Sequence, residues 1–208
     1  VTALSTANDG KADKLVCEIQ TGGEATRDLL ADIVASSLKS LPIPKRMRWG
    51  SSRTEFIRPV HWLIMLFGNE IVDANILGLT ASRQTRGHRF HYNQPLIIDN
   101  ANDYLQKLPN IAYVVIDYQK RKELIRQQVI VEAEKINGHA VIDEDLLDEV
   151  TGLVEWPVAL TGRFEERFLE VPAEALIYSM KEHQKYFHVV DASDQLMPNF
   201  ITVANIES

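Results

Sequence analysis

Cysteine is almost missing from this 208-residue chain: Cys17 stands alone. One thiol cannot form a disulfide within the chain, so no cross-linked framework is expected, and a reducing, cytoplasmic location fits. Cys17 lies in the alternating run Leu15-Val16-Cys17-Glu18-Ile19, which reads it as a small packed residue rather than a nucleophile. Long apolar runs are lacking too. The longest, Leu63 to Phe67, is strand-sized, far below the roughly 18 residues that a membrane span needs. No membrane partner is expected, and the first residues carry no signal-peptide core. Phosphate-binding signatures are missing: there is no GxxxxGK[ST] and no GxGxxG between a strand and a helix. No GxSxG elbow occurs. His88-Arg89-Phe90-His91 has HxxH spacing but no neighbouring Cys or carboxylate to complete a metal set. Lys181-Glu182-His183 has Ser179 where an inverted zinc motif would need its second His. No metal, no catalytic residue of the chain's own and no nucleotide cofactor are expected from these patterns.

What is present is an ordinary globular composition, 45% hydrophobic and 25% charged. A chain this long buries most of its apolar surface on folding without disulfides or structural metal. It starts at Val1 rather than Met and closes on the apolar run Ile201 to Ile206. Both ends are therefore expected to be boundaries inside a longer protein.

The net charge of −7 argues against a polyanion as partner. The charge is unevenly spread, however. Six basic residues (Lys39, Lys45, Arg46, Arg48, Arg53, Arg58) face one acid, Glu55, between Lys39 and Arg58, a local sum of +5. Five acids and no base lie between Asp143 and Glu149. An acidic chain with one concentrated basic stretch can still hold a polyanion locally.

Periodicity predicts the elements. Residues 1–13 read as polar and loose, Lys14 to Gln20 as a half-buried strand, and Gly22-Gly23 as a turn. Glu24 to Leu41 carries apolar residues at helical spacing and is stopped by Pro42 and Pro44. Pro59 to Phe67 reads as one apolar strand that turns at Gly68-Asn69-Glu70 and returns over Ile71 to Leu79. Ser82 to His91 is a basic loop, and Pro95 to Ile98 a strand. Asp99-Asn100 caps a short helix through Leu108, and Ile111 to Ile116 is a β-branched strand. Asp117 caps a long helix to Ile136 that Gly138 ends. Asp143 caps a short acidic helix, where capping and the helix dipole account for the acids. Glu155 to Thr161 is a strand that Pro157 marks as an edge or a bulge. Pro172 opens a helix to Glu182. Lys185 to Val190 and Leu196 to Ala204 close the chain as a hairpin. Hairpins mixed with helices favour a layered α+β fold over a doubly wound sheet. Residues 1–41 form a strand–helix segment ahead of an α+β domain over 42–208.

Three polar clusters stand out. In the first, Lys45, Arg46, Arg48, Arg53 and Arg58 surround Trp49. Such cations neutralise phosphates, and an aromatic ring stacks on an unpaired base. The same stretch also reads as a solvated loop with Trp49 packed under a sheet. The second cluster, Arg83 to His91, holds Arg86, His88 and Arg89 beside Gly87 and an aromatic tip, and reads equally as a plain surface loop. The third, Met180 to His188, brings Lys181, Glu182, His183 and Lys185 to a helix–strand junction, where basic residues also complement a helix end.

Leu41 to Gly50, Phe56 to Trp62, Thr85 to Phe90, Ile177 to Phe187 and Asn199 to Ser208 together resemble the β subunit of the bacterial α2β2 glycyl-tRNA synthetase. The resemblance runs in order from about residue 15 to the end. It implies an enzyme that joins glycine to tRNA(Gly), with ATP and magnesium used at the α subunit. The β subunit would extend well beyond this chain and recognise tRNA through several domains. The segment would be similar to the B3/B4 editing module of the phenylalanyl enzyme, a β/β/α layered fold. Its partners would be tRNA(Gly), the α subunit and the remainder of the β subunit. Three roles follow from the resemblance and the clusters. The first is a non-catalytic tRNA contact through Lys45, Arg46, Arg48, Trp49, Arg53, Arg58, Arg86, His88, Arg89, Lys181, His183 and Lys185. The second is hydrolytic editing with His183 or Glu182. The third is a structural scaffold.

Overall fold

Local signals start most of the elements in the computed structural model, which describes residues 4–8, 10–17, 19 and 22–207. Strand β1 (Leu4–Asn8) pairs antiparallel with β2 (Asp13–Cys17). The expectation of a loose segment over residues 1–13 is corrected by this hairpin. Asn8 Nδ2 donates to Asp13 Oδ1 at 2.6 Å, and the Gly10 N–H donates to Asn8 Oδ1 at 2.8 Å, closing the turn. Residues 1–3 and 9 of that segment, and Glu18 and Gln20 of the strand expected beyond it, lie outside the described residues. Both strands are exposed along their whole length, Cys17 included. The packed reading of Cys17 is therefore also corrected, since a two-stranded ribbon has no inner layer of its own.

Helix α1 (Thr26–Ser40) follows where the spacing of Leu29, Leu30, Ile33 and Val34 places it, and it ends ahead of Pro42. Strands β3 (Met47–Arg48) and β4 (Glu55–Phe56) form an antiparallel pair with Arg48 opposite Glu55. The single long strand expected over Pro59 to Phe67 is confined to β5 (Leu66–Phe67). Upstream of it, Ile64 makes one parallel bridge to Ser82. Pro59 has no N–H to give to a ladder, which limits pairing at that end.

After β6 (Glu70–Ile71), the expected return strand breaks into a second tight hairpin, β7 (Asn75–Ile76) and β8 (Leu79–Thr80). Leu77 and Gly78 between them both have positive φ, 54° and 76°, as a primed two-residue turn requires. Part of the expected basic loop is strand: β9 (Gln84–Arg86) pairs antiparallel with β10 (Pro95–Ile97). Asn100 Oδ1 accepts the Asn102 N–H at 3.0 Å and opens one 3-10 turn leading into α2 (Tyr104–Ile111).

The β-branched strand expected over Ile111 to Ile116 does not form. Ile111 is the last residue of α2, and Tyr113 takes a left-handed turn at φ 57°. The Val114 N–H turns back to the Leu108 carbonyl and the Val115 N–H reaches the Glu155 carbonyl, outside any ladder. Asp117 then caps α3 (Tyr118–Lys135), its Oδ1 accepting the Lys120 N–H at 3.0 Å. The chain continues through β11 (His139–Ala140), α4 (Glu144–Leu153), β12 (Val158–Arg163) and α5 (Ala173–Tyr178). A π-turn over Ser179–Gln184 leads to β13 (Phe187–Val190) and β14 (Leu196–Ala204).

The chain divides into two compact units. One comprises Val1–His61 and Ile71–Ala81, the other Trp62–Glu70 and Ser82–Ser208. In the second unit, an antiparallel sheet of order β11-β13-β14-β12 carries α3 and α4. Helices combined with antiparallel strands make the fold α+β. Ile125, Val129 and Ala133 recur every fourth residue along α3 and meet Leu147 and Val150 of α4 and Phe187, Val189 and Ile201 of the sheet, all buried. Pro157 precedes β12, which is an edge strand. Gln128 of α3 covers that edge. Its Nε2 donates to the Pro157 carbonyl at 3.0 Å and its Oε1 accepts the Ala159 N–H at 2.8 Å. A smaller core gathers Leu96, Ile98, Leu108 and Ala112.

Helix α4 is acidic, and α3 neutralises it. Arg126 forks onto Glu144 at 2.7 and 3.0 Å, while Lys122 meets Glu144 at 3.2 Å and Asp148 at 2.6 Å. The Arg126 guanidinium, then the Lys122 ammonium, hold the Glu144 carboxyl at about 2, from an ordinary 4.5. Lys122 and the Tyr118 hydroxyl likewise hold Asp148 below its usual range.

Two outcomes are expected. Asn137 takes the left-handed turn that ends α3, at φ 57°, so Gly138 is needed for room instead. A Cβ on Gly138 would lie 2.4 Å from Val189 Cγ1 and 2.7 Å from Met197 Sδ. Gly138→Ala should therefore lower the urea midpoint by the equivalent of about 1–3 kcal/mol. The Glu144 pairs act through a depressed folded-state value, so their stabilisation is complete above pH 4.5 and is lost as pH falls through about 2. The urea midpoints of wild type and Glu144→Gln should differ above pH 4.5 and converge as pH falls below that value.

Candidate nucleic-acid interface

The first cluster sits on the β3–β4 hairpin and its flanks. Backbone pairing places Arg48 opposite Glu55, and the Arg48 Nε lies 2.6 Å from Glu55 Oε1. The Arg48 charge is thus answered within the hairpin. Arg46 Nη2 donates to the Lys39 carbonyl at 3.4 Å, which orients it toward the end of α1. Lys45, Arg53 and Arg58 are exposed, and no carboxylate among the described residues lies within ion-pair distance of them. Trp49 is half-buried beside them. Three free cations on and beside a short hairpin with a partly exposed indole make a surface suited to phosphate and base.

The second cluster is split by the fold. Arg83 donates to the Asp99 carbonyl at 3.3 Å and the Asn69 carbonyl at 3.1 Å, so it ties loops together. Thr85 is buried and accepts from Trp62 Nε1 at 3.1 Å. Arg86 and Arg89 are exposed, without a carboxylate partner among the described residues. His88 is completely buried. Its N–H donates to the Ala112 carbonyl at 2.7 Å, and its Nδ1 accepts the N–H groups of Phe90 and His91, each at 3.3 Å. His88 therefore shapes the turn from inside and offers no surface to an RNA, which corrects its expected role as a direct contact. Gly87 is needed here for close approach, because a Cβ would lie 2.6 Å from Ala112 Cβ. A run of rings continues from the turn: His91 lies 5.1 Å from Tyr113, which lies 5.1 Å from Trp156.

The third cluster is largely engaged within the fold. Lys181 Nζ lies 2.6 Å from Asp143 Oδ2, and Lys185 Nζ lies 2.9 Å from Glu149 Oε2. These pairs fasten the π-turn and its cap to the N-cap and the middle of α4. Lys181, together with the Leu146 N–H, holds the Asp143 carboxyl below its usual range. His183 is exposed and lies edge-on to Tyr178, with ring centroids 5.7 Å apart. Burial pushes the neighbouring His188 imidazole down. The free cations of the second unit's clusters are thus Arg86 and Arg89, while Lys181 and Lys185 are already paired.

Phe90 lies outside the contact set expected from the sequence. It is 70% exposed at the tip of the turn, with the Arg89 guanidinium 5.8 Å from its ring centroid. An aromatic residue flanked by Arg89 and His91 was the signal available. Beside it opens a cleft of about 620 Å³ lined by Arg89, Phe90, Arg121, Leu153, Glu155 and Asn205, among others. Among the described residues, no group of three or more His, Cys, Asp or Glu side chains is placed to hold a metal, and no helix is long and apolar enough to cross a membrane.

The family model described as glycyl-tRNA synthetase beta subunit matches residues 1–208. The chain is 62% identical over 189 residues to the glycine–tRNA ligase beta subunit of Chromohalobacter salexigens, covering 91% of this chain and 27% of that protein. It is 58% identical over 206 residues to the subunit of Marinobacter nauticus, covering 99% and 30%. Against that of Hahella chejuensis it is 59% identical over 194 residues, covering 93% and 28%. The chain spans less than a third of the length of these curated relatives.

Proposed function

Because the chain belongs to the glycyl-tRNA synthetase beta subunit family, we propose that it is a tRNA-contacting, non-catalytic segment of a glycine–tRNA ligase. The enzyme attaches glycine to tRNA(Gly) as a cytoplasmic α2β2 assembly. ATP and magnesium serve at its α subunit, outside this chain. The segment's partners are tRNA(Gly), that α subunit and the remainder of the β subunit. Its second unit follows the layered plan of a B3/B4 module, a reading supported by the antiparallel sheet that carries α3 and α4.

One observation carries the contact reading. The lysines and arginines around α4 are answered by its acids, whereas Lys45, Arg53 and Arg58 stay uncommitted beside Trp49 in a chain of net charge −7. Cations left free of internal partners release counterions when they meet phosphates, which supplies sequence-independent affinity. Contact is favoured over hydrolytic editing by the state of the 181–188 junction. Lys181 is held by Asp143, and His183 lies edge-on to Tyr178.

The test is a titration of the 208-residue protein with tRNA(Gly) across a salt series. Changing Lys45, Arg53 and Arg58 to Ala should each reduce the slope of log affinity against log salt by about 1. Lys181→Ala should leave the slope in place, because its charge is spent on Asp143. Equal slopes for wild type and the triple variant would remove the reading.

A further inference from the structure

We infer that the Arg89–Phe90 turn and the cleft beside it form a subsite for an unpaired RNA nucleotide, with its base stacked on Phe90 and its phosphate on Arg89. The inference rests on the tRNA-contact reading and names the part of the RNA that this unit takes.

An exposed phenylalanine is common on a protein surface and by itself signals nothing. Phe90 differs in how it is mounted. Its own N–H and that of His91 are held by Nδ1 of a fully buried histidine, His88, whose N–H is tied to the Ala112 carbonyl. Gly87 lets the chain pass against Ala112 with no space for a side chain. His91 Nε2 accepts the Glu207 N–H at 3.2 Å, and its ring lies against Tyr113. Tyr113 itself adopts φ 57°, a conformation unfavourable for an aromatic residue. The fold thus spends a buried imidazole, a glycine and a strained tyrosine around a tip whose ring remains 70% exposed. A ring presented on a fixed turn loses little freedom on binding, which suits a stacking platform.

The chemistry around the ring fits a nucleotide. Arg89 stands over Phe90 and has no carboxylate partner among the described residues. The cleft of about 620 Å³ falls within the roughly 300–1,000 Å³ of ligand sites. Asn205 Oδ1 is occupied by the N–H groups of Glu155 and Trp156, at 2.7 and 2.9 Å, which fixes its amide and leaves Nδ2 as a donor. The Glu155 side chain, exposed on the same cleft, is an acceptor. Arg121 is bonded to the carbonyls of Thr151, Val115 and Ile116, so it acts as fixed positive charge in the wall. Donor, acceptor, cation and aromatic face together answer a base edge, a ribose hydroxyl and a phosphate. A duplex holds its bases in the stack and cannot use the ring.

The test uses the 208-residue protein and a hexa-adenylate RNA carrying one 2-aminopurine, with a short blunt RNA duplex as comparison. Wild type should quench the 2-aminopurine. Phe90→Ala should weaken hexa-adenylate binding about 5- to 150-fold and abolish the quench, with an unchanged circular dichroism spectrum. Phe90→Tyr should keep both, and duplex affinity should not respond to either change. Absence of quenching by wild type, or equal affinity of Phe90→Ala, overturns the subsite. If the subsite fails in this way while the Lys45, Arg53 and Arg58 variants still lower the tRNA salt slope, the contact reading survives it. If Phe90→Ala loses the hexanucleotide while those variants leave the slope unchanged, the subsite stands and the hairpin contact falls.

Discussion

Five carboxylates in seven residues repel one another, and at the start of α4 they also lie where apolar residues must pack. Leu146, Leu147, Val150 and Thr151 are buried on the same short helix. The helix holds because four of the acids, Asp143, Glu144, Asp148 and Glu149, are each answered by a lysine or arginine from elsewhere in the unit. Lys122 and Arg126 come from α3, Lys181 and Lys185 from the π-turn. The same pairs link α3 and the 179–185 segment to α4. Exposed pairs contribute little singly. A network that shares acids among three elements acts as a register device, in addition to the apolar contacts beneath it.

That network also sorts the protein's positive charge. Lys122, Arg126, Lys181 and Lys185 are neutralised by the acids of α4 and its cap, whereas Arg83 and Arg121 keep their charge but are held in place by backbone carbonyls. The cations of the three polar clusters with neither a carboxylate nor a carbonyl holding their side chain are Lys45, Arg53 and Arg58 around the β3–β4 hairpin, and Arg86 and Arg89 in and after β9. A net charge of −7 would hide this distribution. Binding of a polyanion depends on the uncompensated local charge, because only that charge exchanges counterions with phosphate.

Signals that act over three or four residues were legible in the sequence. Asp117 and Asp143 carry the sequence signal of N-caps, and each accepts an N–H of its first turn at 3.0 Å. The helical spacing of α1, the edge position of β12 after Pro157, and the closing β13–β14 hairpin were legible for the same reason. Ile111 to Ile116 misled, because β-branched residues favour extended backbone but cannot supply a partner strand. Its N–H groups found Leu108 and Glu155 instead. Cys17 misled in the opposite way: alternation marked a strand, but burial needs a second layer over it.

The candidate interface divides along the same line. The sequence by itself determined where cations and aromatics cluster along the chain and, through long ordered motifs, which family they belong to. Both are properties of residues read in order. Only the tertiary structure decided which of those charges remain available. Lys181 meets an acid 38 residues away, His88 turns inward to hold its own loop, and Phe90 is left at the surface. Pairing and burial depend on distances between remote segments, and those distances are fixed when the core closes.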